Sequence, residues 1–263
     1  MVEKGPSTSW EKVHDWYDDI VGAEGHYYHQ HVILPHLLPL IASSKSLLDI
    51  GCGQGVLARH LPKSARYVGI DSSPSLIAIA RKLCPQATFF VQDALQPFSL
   101  KDKDFSHAVM ILALQNMADP IPVFENAARH LAPQGKLVLV LNHPCFRIPR
   151  QSSWAIDEKK QMQSRRIDRY MTPMEIPILT RPSQQEDSTS SVSYHLPLSS
   201  YSLALGKAGF CIERLDEWCS DKTSHGKAAR RENRARKEFP LFLCIVACKT
   251  THLLSSQTPK KSG

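Results

Sequence analysis

The chain has 263 residues, 42% of them hydrophobic, and carries a formal charge of +7. That length and apolar share suit one sizeable core with insertions rather than two separate domains, a single domain over 1–250. No apolar run approaches the roughly 18 residues of a membrane span, the opening MVEKGPSTSW lacks the apolar stretch of a secretion signal, and seven cysteines without a CxxC pair read as reduced thiols, so a cytoplasmic protein is expected.

In chain order, SWEKVHDWYDDIVGAEGHYYHQHVILPHLLPLI predicts two helices broken near Gly22 and Gly25 and again by Pro35, a helical segment over 10–42. SLLDI, ARYVGI, ATFFVQD, SHAVMILAL and KLVLVLN follow as β-type runs of the kind buried on both faces of a sheet. Between them GVLARHLP, SPSLIAIARKLC and DPIPVFENAARHLAPQG predict helices, the last closing on Gly135. That alternation predicts a doubly wound α/β sheet, parallel over these strands. A helix over LSSYSLALGKAGF and two strands, CIERLDEW and PLFLCIVACK, complete the pattern.

Two segments break the alternation. From His143 to Leu198 the chain is rich in Pro, Ser and Arg for about 55 residues, against roughly 2–6 for an ordinary connection, and loops of that length are usually functional. Within it, Ser183 to Ser193 reads as mobile. The second segment, 219–238, is a basic helical insertion whose Lys and Arg crowd 227–237, while 251–263 reads as a disordered tail. A basic stripe is either the footprint of a phosphate binder or a solvated helix face.

The chemistry sits in LLDIGCGQG. Its G-x-G-x-G lacks the G-x-G-x-x-G spacing of a dinucleotide fold and contracts the turn, which suits an adenosyl and methionine moiety with no pyrophosphate to cradle. Asp71 ends the second strand about 20 residues on, where a carboxylate can accept both ribose hydroxyls, and Asp93 ends the third, within reach of an adenine amine. Taken singly, Asp71 is equally readable as a helix cap and Asp93 as a loop carboxylate. Three such positions at the carboxyl ends of successive strands are where an open α/β sheet holds its ligand.

LLDIGCGQG, GIDSS, QDA and LSSYSLALGKAGF, in that order, resemble the class I S-adenosylmethionine-dependent methyltransferases, over roughly Leu47 to Val140 and Ser199 to Lys249. Within them YHLPLSSYSLALGKAGF is similar to small-molecule enzymes related to the ubiquinone and menaquinone C-methyltransferases. The resemblance implies a seven-stranded, mostly parallel sheet whose last strand is antiparallel, and S-adenosyl-L-methionine as cofactor. It implies a cofactor-binding set of Asp49, Gly51, Gly53, Gly55, Asp71, Ser72, Asp93 and Ala94. Cys52, between two of those glycines, reads as a packing residue rather than a nucleophile.

On the acceptor side the resemblance makes the segment before the first strand a lid, with Tyr27 and Tyr28 as aromatic walls and one of His26, His29 and His31 facing the pocket; an ordinary packed helix is the alternative. Those histidines lack a carboxylate or cysteine at zinc spacing, so no metal is expected. Gln115, in QNMAD after the fourth strand, and His143, Phe146 and Arg147, in NHPCFRIPR after the fifth, are the other expected substrate contacts. His195, just before the LSSY helix, is the candidate general base, since histidine titrates near neutrality. The functional expectation is in-line methyl transfer to a small-molecule acceptor. An RNA-modifying methyltransferase using the basic clusters, with nucleic acid as partner, and a cofactor-binding protein without transferase activity are the alternatives.

Overall fold

The computed structural model describes residues 25–101, 103–179 and 190–250. The five runs read as buried strands become β1 (Ser46–Ile50), β2 (Arg66–Asp71), β3 (Thr88–Val91), β4 (Phe105–Ile111) and β5 (Leu131–Asn142). Four short strands follow, β6 (Ser152–Asp157), β7 (Met162–Ile167), β8 (Met174–Leu179) and β9 (Ser190–His195), then β10 (Phe210–Trp218) and β11 (Phe242–Lys249). The main sheet runs β10-β11-β5-β4-β1-β2-β3, with β11 antiparallel to both its neighbours. This is the seven-stranded, mostly parallel sheet with an antiparallel last strand that the resemblance implied.

The helices are α1 (Leu34–Ile41), α2 (Val56–Arg59), α3 (Pro74–Leu83), α4 (Pro120–His130), α5 (Leu198–Lys207) and α6 (Ala229–Glu238). They cover both faces of the sheet, which is why its inner strands are apolar on both sides. Phe124 and Leu205 pack with Leu48, Ile50 and Leu139 on one face, while Ile33, Leu37 and Ile77 pack with Leu47, Val109 and Val138 on the other. Each of the longer crossover helices starts on a side-chain cap followed by a proline whose absent N–H costs nothing there. Ser73 Oγ accepts from the Leu76 amide at 3.2 Å and Asp119 Oδ1 from the Ile121 amide at 2.9 Å.

Four expectations change. Pro35 does not break the N-terminal helix: a π-helical stretch, His29–Ile33, leads directly into α1, and a shifted ladder tolerates a ring without an N–H. The helix after β1 is a single turn. Gly135 does not end α4, which stops at His130; it lies inside β5, where the β4 register jumps from Phe105↔Leu131 to His107↔Lys136 and Gln134 takes a positive φ of 61°. The chain there forms a bulge, the other structure in which glycine and positive φ gather.

Finally, the long insertion is not a loop: β6 pairs with β7 and β8 with β9 as two antiparallel hairpins outside the main sheet. Ser190 to Ser193, read as mobile, belong to β9. The rest of Ser183–Ser193, the predicted helix before Gly22 and the tail over 251–263 lie outside the described residues. Among the described residues no helix is long and apolar enough to cross a membrane, and all seven cysteines are free.

Candidate functional site

The carboxyl ends of β1, β2, β3 and β4 open on a cavity of about 260 Å³. Its lining includes Gly51, Gly53, Asp71, Ser72, Asp93 and Ala94, six residues of the expected set. The glycine turn is built for close approach. A Cβ on Gly51, whose φ is +75°, would stand 2.4 Å from that of Ala113, so any larger residue would push the turn off the end of β4.

Asp71 locks that turn. Its Oδ2 accepts the Gly53 amide at 3.0 Å and its Oδ1 the Ser73 amide at 2.9 Å. With Ser73 serving as the α3 cap, Asp71 is released from the capping role open to it in the sequence. Asp93 likewise orients through one oxygen, Oδ1 accepting from the Leu95 amide at 2.9 Å.

Two members of the expected set stand behind the cavity wall. Gly55, at φ +76°, has the Phe89 ring and Ala80 where a Cβ would go, and serves helix-to-strand packing. Asp49 is buried and accepts the Tyr67 hydroxyl at 2.7 Å. It lines a smaller hollow that shares Gly51 and His29 with the main cavity. Burial pushes its carboxyl up to about 7, against the downward pull of Tyr67. Cys52 is buried beside it, its thiol driven well up by burial and then by Asp49, and a thiol so held is no nucleophile at neutral pH.

The sequence reading named none of the apolar walls, Leu76, Leu95, Leu112 and Met117, nor the polar Gln92 and Asn116. Gln92 and Leu95 flank the Asp93 motif, so their signal was adjacency. Leu112 takes a φ of +54°, a conformation that L side chains rarely adopt and that costs about 1 kcal/mol or more. That strain turns the chain sharply off β4 and presents Leu112 and Ala113 to the cavity.

Comparison with known proteins decides what this frame is. Residues 48–139 match the family model described as a methyltransferase domain. A solved S-adenosylmethionine-dependent methyltransferase from Mesorhizobium loti superposes with a TM-score of 0.64 and 26% identity, covering 86% of this chain and 100% of that one. Residues 48–139 form a methyltransferase domain, and the fold around them is that of the class I S-adenosylmethionine-dependent methyltransferases. Demethylmenaquinone methyltransferase of Tropheryma whipplei is 32% identical over 109 residues, covering 40% of this chain and 45% of that protein. Trans-aconitate 2-methyltransferase of Escherichia fergusonii is 34% identical over 115 residues, 40% and 44% of the two chains. The chain thus spans under half the length of these curated relatives.

S-adenosyl-L-methionine is the cofactor of this methyltransferase family, and the donor set fits it. Paired carboxylates at the ends of β2 and β3 suit ribose hydroxyls and an adenine amine, apolar walls suit the purine faces, and the glycine turn admits the methionine chain without a side chain in the way.

The expected acceptor-side residues are distributed differently. Gln115 is absent from the cavity lining; its amide clamps the end of β5, Nε2 donating to the Asn142 carbonyl at 3.1 Å and Oε1 accepting the Asn142 amide at 2.8 Å. His143 is buried, with Nδ1 accepting the Cys145 amide at 3.1 Å and Nε2 donating to Glu217 at 2.7 Å. Burial lowers its pKa, with Glu217 opposing. His195 is buried outside the lining, its Nε2 donating to the Tyr170 carbonyl at 2.7 Å, which holds the ring at the hairpin rather than at the cavity.

His29 is the histidine of the N-terminal segment that faces the cavity. It is buried, its Nδ1 has no hydrogen-bond partner among the described residues, and burial lowers its pKa to about 4, so the ring is neutral. Tyr28 packs its ring edge-on against Phe242 at 5.8 Å, and the Arg147 guanidinium lies over that same phenylalanine ring, 5.2 Å from its centroid. Tyr27 is more exposed and donates to Asp221 at 2.9 Å. Phe146 sits between His143 and Phe239.

Proposed function

We propose that the protein transfers a methyl group from S-adenosyl-L-methionine to a small-molecule acceptor. The observation that carries this is the cavity where Gly51, Gly53, Asp71 and Asp93 meet at the ends of four strands. When bound, S-adenosylmethionine supplies an electrophilic methyl on a sulfonium sulfur. Asp71 holds the ribose end through an orientation that Gly53 and Ser73 fix in advance, and Asp93 with Ala94 bounds the base. The residues after β4 and β5, with the N-terminal segment over them, bound the acceptor side.

Positioning rather than base catalysis carries the rate in this reading, since correct alignment alone contributes up to roughly 7–11 kcal/mol. His29, held near 4, is a weak base but a ready hydrogen-bond acceptor, and its unpartnered Nδ1 suits the hydroxyl or amine of an acceptor. A small acceptor is favoured over RNA because the basic insertion spends part of its charge internally. Arg231 pairs with Glu158 at 2.7 Å, and Arg236 pairs with Glu232 at 3.8 Å. The named relatives act on demethylmenaquinone and trans-aconitate, which agrees with that class.

Calorimetry with S-adenosylhomocysteine and with a nicotinamide dinucleotide tests the first half: the former is expected to bind and the latter not. A metabolite screen with isotopically labelled methyl donor tests the second. Methyl transfer confined to bulk RNA would replace the small-molecule acceptor.

A further inference from the structure

The guanidinium of Arg147 is half-buried at the carboxyl end of the sheet, stacked over Phe242, and among the described residues it has no hydrogen-bonded or carboxylate partner. It is not alone in charge. Arg165 lies near enough to disfavour its ionised form, and is itself held by neutral groups, donating to the Phe146 carbonyl at 2.8 Å and the Ser152 hydroxyl at 2.6 Å. Lys222 adds a third cation, 5.0 Å over the Tyr28 ring that also packs on Phe242.

The carboxylates at this edge are committed elsewhere: Asp221 accepts from Tyr27 and faces His31 at 3.8 Å, and Glu217 pairs with His143. A desolvated guanidinium with no counter-ion is costly, and removing the counter-charge of a buried cation is more so. Such a group is retained where something outside the chain supplies the charge. The location is apt, because Arg147 follows β5 by five residues of tight turn, its amide donating to His143 O at 2.8 Å, while Tyr28 adjoins the cavity-lining His29.

We propose that Arg147, with Tyr28, Phe242 and Lys222, forms an oxyanion-binding subsite for the methyl acceptor, so that the acceptor carries a carboxylate or a phosphate on an apolar body. This rests on the methyl-transfer reading. The planar fork of arginine pairs two oxygens at once, Phe242 is the buried floor beneath it, and the half-exposed Tyr28 ring beside it suits the apolar part next to the anion.

The test titrates the protein, with and without saturating S-adenosylhomocysteine, with glutarate, inorganic phosphate and the neutral glutaramide at fixed ionic strength, read by calorimetry. One of the two anions is expected to bind and glutaramide is not, and which anion binds distinguishes carboxylate from phosphate. Arg147→Met keeps an apolar stem over Phe242 and is expected to weaken that binding tenfold or more, with S-adenosylhomocysteine affinity unchanged within twofold and the unliganded protein no less stable. Arg230→Ala, an exposed cation on α6, is expected to change none of these. Absence of binding by either anion, equal binding of glutaramide, or anion binding that survives Arg147→Met would overturn the subsite and make Arg147 a packing residue. Failure of S-adenosylhomocysteine to bind would instead remove the methyl-transfer reading, while the anion arm without cofactor still judges Arg147.

Discussion

The two ends of the catalytic edge are built on different logic. On the cofactor side, from β1 to β4, polar side chains are aimed by the backbone at the cavity: Asp71 and Asp93 each orient through nearby amides and line it. On the proposed acceptor side, from the turn after β4 to β9, the polar side chains chosen by position turn inward. Gln115 clamps Asn142, His143 bridges Cys145 and Glu217, and His195 holds Tyr170. A polar residue at a strand end is thus a ligand contact where the turn supplies its orientation, and a structural strut where an adjoining hairpin must be anchored.

The largest effect expected from breaking this contrast is at Asp71. Asp71→Ala removes the acceptor of two amides as well as the proposed ribose contacts, and charge-assisted hydrogen bonds are worth about 1.5–3 kcal/mol each. Cofactor affinity is expected to fall roughly a hundredfold or more, read by calorimetry with S-adenosylhomocysteine. An unchanged affinity would take Asp71 out of the site and erase the difference between the two sides.

His29 is the next. Its pKa is about 4 in the fold against 6.5 ordinarily, so as pH falls the unfolded chain takes the proton first. Stability is therefore full above about 6.5 and is lost as pH drops toward 4, by about 3 kcal/mol from this group. Urea unfolding at steps of pH should show that loss in the wild type, and a clearly smaller one in His29→Leu. Parallel curves for the two proteins would mean that the ring takes up its proton in place.

A smaller change separates strut from contact at His143. His143→Ala leaves the Cys145 amide and Glu217 without their partner and is expected to cost about 1–3 kcal/mol of folding stability, with S-adenosylhomocysteine affinity within twofold of wild type. The measurement is paired denaturation and calorimetry. Full stability with impaired turnover would return His143 to the acceptor pocket.

The cofactor side was legible because its requirements are local: β1 is buried at every position, glycine is forced where Gly51 meets Ala113, and Asp71 and Asp93 come at strand ends that apolar runs announce. The acceptor side depends on contacts far apart in sequence. Nothing near His143 reveals that Glu217, 74 residues away, will accept its Nε2 hydrogen bond. The hairpins were hidden for a related reason. β7, MQSRRI, is polar on both faces and gains its place from β6 and α6 rather than from an apolar stripe, and β8 carries Pro177 in its middle. Pro35 and Gly135 misled because each punctuates a helix in ordinary sequence, whereas here a π-helical stretch and a bulge absorb them.

Asp49 belongs to the cofactor side yet touches no ligand space in the main cavity, and its effect should be the most modest and the most informative. Its carboxyl, raised to about 7 by burial, is only partly ionised at neutral pH, and it adjoins Gly51 through the hollow that also holds His29. The sulfonium and ammonium of S-adenosylmethionine are cations, so a bound cofactor favours the ionised carboxylate and its binding releases the proton that Asp49 still holds. Affinity should accordingly rise with pH, steepest below about 7 and level above it, by at most about tenfold between pH 6 and 8. Asp49→Asn keeps an acceptor for the Tyr67 hydroxyl but has nothing to titrate, so its affinity should be nearly flat over that range. S-adenosylhomocysteine, which lacks the sulfonium charge, should show a weaker slope than S-adenosylmethionine in the wild type. Equal slopes for the two ligands, or a slope that persists in Asp49→Asn, would show that the buried carboxylate does not feel the cofactor and serves the Tyr67 contact alone.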